Sequence, residues 1–179
     1  MTDISSTPLE STNQVQKTEP QPFYIKGPMG RGLQLQPEGV HVAFCAGTGT
    51  LVFLDLVAHL LILNTLPKEE VPPEMRNFYQ SGFKLHLYVA FQNREQSIGL
   101  DLIEALQQVN QARGYDNFVL TVRLSEPDAG QPKMPRWTED FIEKELTPLA
   151  GQMKKIWVCG PPVMNELFDK TLEKIASKL

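Results

Sequence analysis

The chain has 179 residues, 41% of them hydrophobic and 21% charged, and a formal net charge of −4. That length suits one ordinary domain with a real core, and the negative balance argues against nucleic acid or an anionic membrane surface as a partner. Two cysteines, Cys45 and Cys159, make no disulfide framework, so a reduced intracellular, cytoplasmic protein is expected.

Residues 1–22 are rich in Ser, Thr, Gln and Pro and almost free of large apolar side chains. They cannot bury enough surface to order themselves, and are expected to form a disordered tail or linker rather than a secretory signal or transit peptide. Residues 23–179 are expected to form the domain. Its first piece, 23–35 (FYIKGPMGRGLQL), predicts a short strand, a glycine-rich loop and a second extended stretch.

Residues 39–45 are apolar at almost every position, which suits a strand covered on both faces in a parallel sheet. A turn, Ala46-Gly47-Thr48-Gly49-Thr50, leads into a helix over 50–66. That apolar run is broken by Asp55, His59 and Asn64 and falls short of the roughly 20 apolar residues a membrane span needs, so a buried helix is expected. Residues 67–82, with three prolines, predict a surface excursion with one helical turn near 74–79.

Residues 83–91 (FKLHLYVAF) predict the second strand, and 97–113 a helix with Ile98, Leu102, Ile103, Leu106 and Val109 at helical spacing. Residues 117–124 predict the third strand and 125–135 a loop. A helix over 137–146 has Thr138 placed as its N-cap and Pro148 just past its end. Residues 155–159 predict the fourth strand. Gly160-Pro161-Pro162 then opens a helix over 163–179, with Met164, Leu167, Phe168, Leu172 and Ile175 on one side.

Strands and helices that alternate in this way predict an α/β fold: a doubly wound, mostly parallel sheet of four or five strands with helices on both faces. Ligands of such sheets bind beyond the carboxyl ends of the strands, where the strand order reverses. The two strand–glycine–helix junctions, at 45–50 and 159–163, are the candidates for flanking that crevice. They can do so only if the first and fourth strands are neighbours. Glycines let a backbone approach a phosphate closely, and the N–H groups of a first helical turn face it.

Assembled, these residues resemble the NAD(P)H-binding domain of the ferredoxin–NADP reductase superfamily, which includes ferric reductases and NADPH oxidases. Residues 25–30 (IKGPMG) are similar to the family's junction with its flavin barrel, and 46–50 (AGTGT) to its pyrophosphate loop. Residues 91–98 (FQNREQSI) resemble the strand end that meets the adenosine ribose, and 158–164 (VCGPPVM) the motif beside the nicotinamide. The last is the most specific. Arg136-Trp137-Thr138 is similar to a further family motif, with Pro135 where glycine is usual.

The resemblance implies an NAD(P)H-binding module of a flavin-dependent oxidoreductase, presenting nicotinamide for hydride transfer to a flavin held elsewhere. Gly47, Thr48, Gly49 and Thr50 would hold pyrophosphate and ribose. Cys159, the one catalytic candidate, would position the nicotinamide beside Gly160, and Pro161-Pro162 would fix the turn into the last helix. Asn93 or Arg94 would meet the adenine-side ribose. Arg94, with Arg123, would suit the 2′-phosphate of NADPH, whereas Asn93 is similar to what NADH-using relatives carry.

Two features depart from the family. Val52 falls near a position often held by proline, and the flavin barrel with its Arg-x-Tyr-Ser/Thr motif has no counterpart here. The sole R-x-Y, Arg113-Gly114-Tyr115, continues with Asp116. FAD would therefore come from a flavin-bearing partner or from a missing part of the chain, with a membrane-associated reductase as one setting. The module itself is expected not to span the membrane and to be inactive alone.

The alternative is a structural or interaction subunit that keeps the fold with a weakened nucleotide site. His41, His59 and His86 share no metal-ligand spacing and read as core or surface residues. Trp137 and Trp157 read as packing residues. The final Ser177-Lys178-Leu179 matches a peroxisomal address, the alternative to a cytoplasmic location.

Overall fold

The structure is a computed structural model and describes residues 31–126, 130 and 137–179. The chain divides into Met1–Gln34 and Leu35–Leu179. Of the first unit only residues 31–34 are described. They hold a turn with Gly32 at φ +62°. The expected tail, the junction motif at 25–30, Pro135 and Arg136 lie outside the described residues.

The second unit is built on four strands, β1 (Gly39–Ala46), β2 (Phe83–Phe91), β3 (Phe118–Leu124) and β4 (Met153–Cys159). All pair in parallel, in the order β3-β2-β1-β4. Helices α1 (Leu51–Thr65), α2 (Leu100–Arg113), α3 (Glu139–Leu146) and α4 (Pro162–Ile175) alternate with them. This is the doubly wound α/β architecture, with four strands of the four or five expected.

The order follows from the handedness of the connections. From β1 to β2 to β3 the chain steps one way, so right-handed crossovers put α1 and α2 together on one face. It then returns past β1 to β4, and the reversed step puts α3, with α4 beside it, on the other.

Alternation along β1 feeds both faces. Val40, Val42 and Phe44 join Tyr88, Ile142, Leu146, Phe168 and Ile175 in one buried cluster under α3 and α4. Phe44 is its centre, with ring centroids 4.5 Å from Tyr88 and 4.7 Å from Phe168. His41, Ala43 and Cys45 point to the α1 side, also buried. There the His41 ring stacks on Trp157, which meets Phe53 of α1.

The helix ends show local chemistry as expected. Thr138 caps α3 by accepting a hydrogen bond from the Phe141 N–H at 3.3 Å, with Glu139 and Asp140 in its first turn. Gly114 ends α2 in the left-handed region at φ +70°. The stretch 47–65 is the one helix among the described residues long and apolar enough to cross a membrane. Within the domain it buries Phe53, Val57 and Leu60.

Candidate functional site at the strand carboxyl ends

The reversal of strand order falls between β1 and β4, and there Cys45 and Cys159 are direct register partners. Both glycine junctions therefore leave the sheet side by side, as the crevice requires. Gly47–Thr50 forms a tight 3-10 turn that runs straight into α1. Neither this turn nor the start of α4 has a side-chain cap or an acidic residue in its first turn. The partial positive charge at those two ends is thus left for something else to meet.

Each glycine has its own reason. Gly47 sits at φ +55°, and a Cβ built on it would have nothing within 4 Å. Its freedom serves backbone shape and leaves open space for an approaching group. A Cβ on Gly49 would stand 2.1 Å from the Cys159 carbonyl oxygen, so this glycine lets the β1 turn pack onto the end of β4. One on Gly160 would meet the Met164 sulfur at 2.5 Å. Gly49 is therefore needed for packing, whatever binds, whereas at Gly160 the neighbour is a flexible side chain that can move aside.

Two joined lobes open above the strand ends. The smaller, of about 490 Å³, is lined by Gly47, Thr48, Gly49, Val52, Cys159 and Gly160 together with Ala46 and Pro161. The larger, of about 720 Å³, shares Ala46, Gly47 and Pro161 and extends to Gln92, Arg123, Ser125, Trp137 and Met164. A floor of backbone and small side chains that leads into an apolar chamber with a few polar groups fits an elongated, partly aromatic phosphate ester.

The expected site residues divide accordingly. Gly47, Thr48, Gly49, Cys159, Gly160 and Pro161 come together around the smaller lobe. Arg123 lines the larger one. Thr50 is fully buried beneath the turn, and its hydroxyl has no hydrogen-bond partner. Pro162 is the first residue of α4 and lines neither lobe. Asn93 accepts a hydrogen bond from the Gln96 N–H at 3.0 Å, shaping its own loop. Arg94 pairs with Glu104 of α2. Neither Asn93 nor Arg94 lines a lobe.

Sequence reasoning did not single out Gln92, inside the 91–98 motif, and missed Ser125 as a lining residue. Ser125 N–H donates to the Phe91 carbonyl and Glu126 N–H to that of Gln92, while the Gln92 amide donates to the Glu126 carboxylate at 2.9 Å. Their signal was only position, at the carboxyl ends of β2 and β3. Trp137, read as packing, does pack against Phe44 but also walls the larger lobe, and its indole N–H has no partner among the described residues. Burial drives the Cys45 thiol pKa well up, and the neighbouring Cys159 adds to it, so Cys45 stays a protonated thiol. Among the described residues no group of His, Cys, Asp and Glu could hold a metal ion.

Fold and cleft together define a doubly wound domain with an open, glycine-floored site at its topological switch point. No protein-family model matches the chain, and no characterised protein matches it in sequence. Solved structures do match in shape. The cytochrome b5 reductase domain of Ulva prolifera nitrate reductase superposes with a TM-score of 0.52 at 17% identity, covering 78% of this chain and 46% of that one. The CS-b5R domains of human Ncb5or, in the NAD+ form, give 0.57 at 15% identity, covering 84% and 37%. The chain therefore shares the fold of the part of these two structures that it covers, and it spans less than half the length of either.

Proposed function

We propose that the domain binds a pyridine dinucleotide across the strand ends and presents its nicotinamide to a flavin carried by a partner or by another part of the protein. One observation carries the reading. The Cys45–Cys159 register pair sets the two glycine turns shoulder to shoulder, with open space above both. The Gly47–Gly49 backbone and the uncapped start of α1 receive the pyrophosphate. Cys159, Gly160 and Pro161 shape a small, water-poor wall for the nicotinamide ring. When bound, the dinucleotide supplies a hydride that the flavin accepts, and the protein contributes binding and orientation. Val52 and Val163, exposed beside the cleft, leave that wall open to a partner domain.

Both NADH and NADPH fit this reading. For Arg94 to meet a 2′-phosphate, its pair with Glu104 has to rearrange. A cytoplasmic location is proposed with it. Leu179 packs against the α3/α4 core and Lys178 pairs with Glu143, whereas a receptor-read terminal address has to be free.

A specific observation favours a second reading, a subunit that keeps the fold for structural reasons. Gly49 is accounted for by packing on the Cys159 backbone, without any ligand. Calorimetric titration with NADH and NADPH separates the two. The first reading expects saturable binding that Thr48→Glu weakens at least tenfold, because a carboxylate then faces the pyrophosphate. Absence of binding to the folded wild-type domain favours the second.

A further inference from the structure

The chain's two cysteines end the β1–β4 ladder opposite each other. Cys45 and Cys159 are its last register partners, and both are free thiols. Register partners on parallel strands present their side chains to the same face of the sheet. Here it is the α1 face. Cys159 lies two residues beyond Trp157, whose ring meets Phe53 of α1, and a Cβ on Gly49 would stand 3.2 Å from the Cys159 Sγ.

Neighbouring strands run about 4.8 Å apart, inside the span of about 4.4–6.8 Å that a disulfide bridges between Cα atoms. Its Cβ atoms have to approach more closely than that strand spacing. A continuous ladder resists such a pinch, but the β1–β4 ladder stops at this pair, and β1 runs on into the Gly47–Thr50 turn. The strand ends are where the remaining distance can be closed.

The two thiols differ in reach. Cys45 is fully buried, whereas Cys159 is half-buried and lines the smaller lobe. A small oxidant entering that lobe meets Cys159 first. Burial, with Cys159 beside it, holds the Cys45 thiol protonated, which suits the partner that reacts second.

We propose that Cys45 and Cys159 are a peroxide-sensitive dithiol that closes to a reversible disulfide beneath the two glycine turns. Hydrogen peroxide is the oxidant. The Cys159 sulfur attacks one peroxide oxygen, the O–O bond breaks, and the departing hydroxide takes the thiol proton as water, leaving a sulfenic acid. The Cys45 sulfur then attacks the sulfenic sulfur. The S–O bond breaks, and the second hydroxide leaves as water with the Cys45 proton. The thiol pair loses two electrons and the peroxide gains them. This goes beyond the dinucleotide reading and holds whatever the cleft binds.

The test exposes the whole, fully reduced chain at low concentration to hydrogen peroxide, removes the excess with catalase, then unfolds and alkylates it. Mass spectrometry of the intact chain and of its digest reads the outcome. The expected result is loss of both thiols together, a monomer lighter by the two hydrogens, and a peptide pair joining Cys45 to Cys159. Dithiothreitol should restore both thiols. Cys45→Ala should stop at a Cys159 sulfenic acid that dimedone traps, and Cys159→Ala should leave the Cys45 thiol at least about tenfold slower to react. Urea unfolding shows whether each variant is folded, and the wild-type result decides even where a variant is not.

In the wild type, survival of both thiols, Cys159 driven to sulfinic acid with Cys45 still free, or a bridge between two chains overturns the proposal. So does loss of the Cys45 thiol in folded Cys159→Ala as fast as in the wild type, because Cys159 is then not the residue that reacts first.

Discussion

The two ends of the sheet are made from the same strands and helices and finish in opposite ways. At the amino end, Asn64 of α1, Asn110 of α2 and Asn117 before β3 close a ring of side-chain amides, with bonds of 2.7 to 3.0 Å. Arg113 donates to the last carbonyls of α1, at Asn64 and Thr65, and Lys84 pairs with Asp116 across neighbouring strands. The carboxyl end has two helix starts without caps, a buried hydroxyl and an indole N–H without partners, and exposed Leu51, Val52 and Val163. Polar groups that are satisfied close one end. Groups left unsatisfied among the described residues lie at the other, where the proposed nucleotide site is. The sealed pole and the proposed binding pole thus lie at opposite ends of one domain, joined by the Phe44 cluster between them.

The contrast can be broken most severely where the poles are not independent. Gly49 belongs to the open end yet packs on the backbone of Cys159. Gly49→Ala should cost more than about 3 kcal/mol, because backbone gives way less readily than a side chain. The urea midpoint measures this, and an unchanged midpoint means that the two turns do not pack as described. Gly47→Ala, with free space but a left-handed backbone, should cost only about 1–2 kcal/mol.

Next comes the closed end. Asn110→Ala removes one member of the amide ring and strands its partners, for an expected loss of about 2–3 kcal/mol with nucleotide affinity unchanged. A drop in affinity alongside would show that the poles communicate. Thr48→Glu is the mirror case, exposed and at the open end. It should leave the unfolding free energy within about 0.5 kcal/mol while abolishing most nucleotide binding.

A pH series gives a smaller effect. His41 is fully buried, its Nε2 accepting from the Gln36 N–H at 3.2 Å and its Nδ1 3.3 Å from the Gly39 carbonyl. Burial is the main cause of its lowered pKa, with Lys155 and Lys154 adding to it. His86 is lowered likewise, by burial and then Lys84. The unfolded chain binds these protons more readily than the folded one. Stability is therefore full above the ordinary histidine value of 6.5 and falls as pH drops through it towards the depressed folded values. Urea unfolding between pH 7.5 and 5.5 should show that slope, reduced in His41→Gln. A wild-type profile flat over the range would refute it.

The smallest effect is Thr50→Val. Removing a buried hydroxyl that has no partner should be neutral or stabilise by up to about 1 kcal/mol. A loss of nucleotide affinity in that variant would mean that the hydroxyl turns to meet the ligand.

Much of this was legible in one dimension because the signals were local. Alternation of apolar runs gave the strands and helices, Thr138 announced its helix, and two glycine junctions after apolar runs marked the strand ends. Arg123 was named as a ligand candidate through the resemblance, but nothing in the residues around it says that Phe141 and Trp137 will cover it. Arg94 was named as a ligand candidate without its partner, because Glu104 stands ten residues away, on a helix whose packing had yet to be known. The asparagine ring was invisible for the same reason. Its members are up to 53 residues apart and each alone reads as a surface amide.

The amino-acid order by itself determined the class of fold, the two turns and the need for β1 and β4 to be neighbours, since each follows from short-range sterics and the handedness of crossovers. Only the tertiary structure decided which glycines answer to a neighbouring backbone and which to open space, which arginine is seated in the cleft, and which end of the sheet is sealed. Those are distances between residues remote in sequence, fixed only when the packed faces come together.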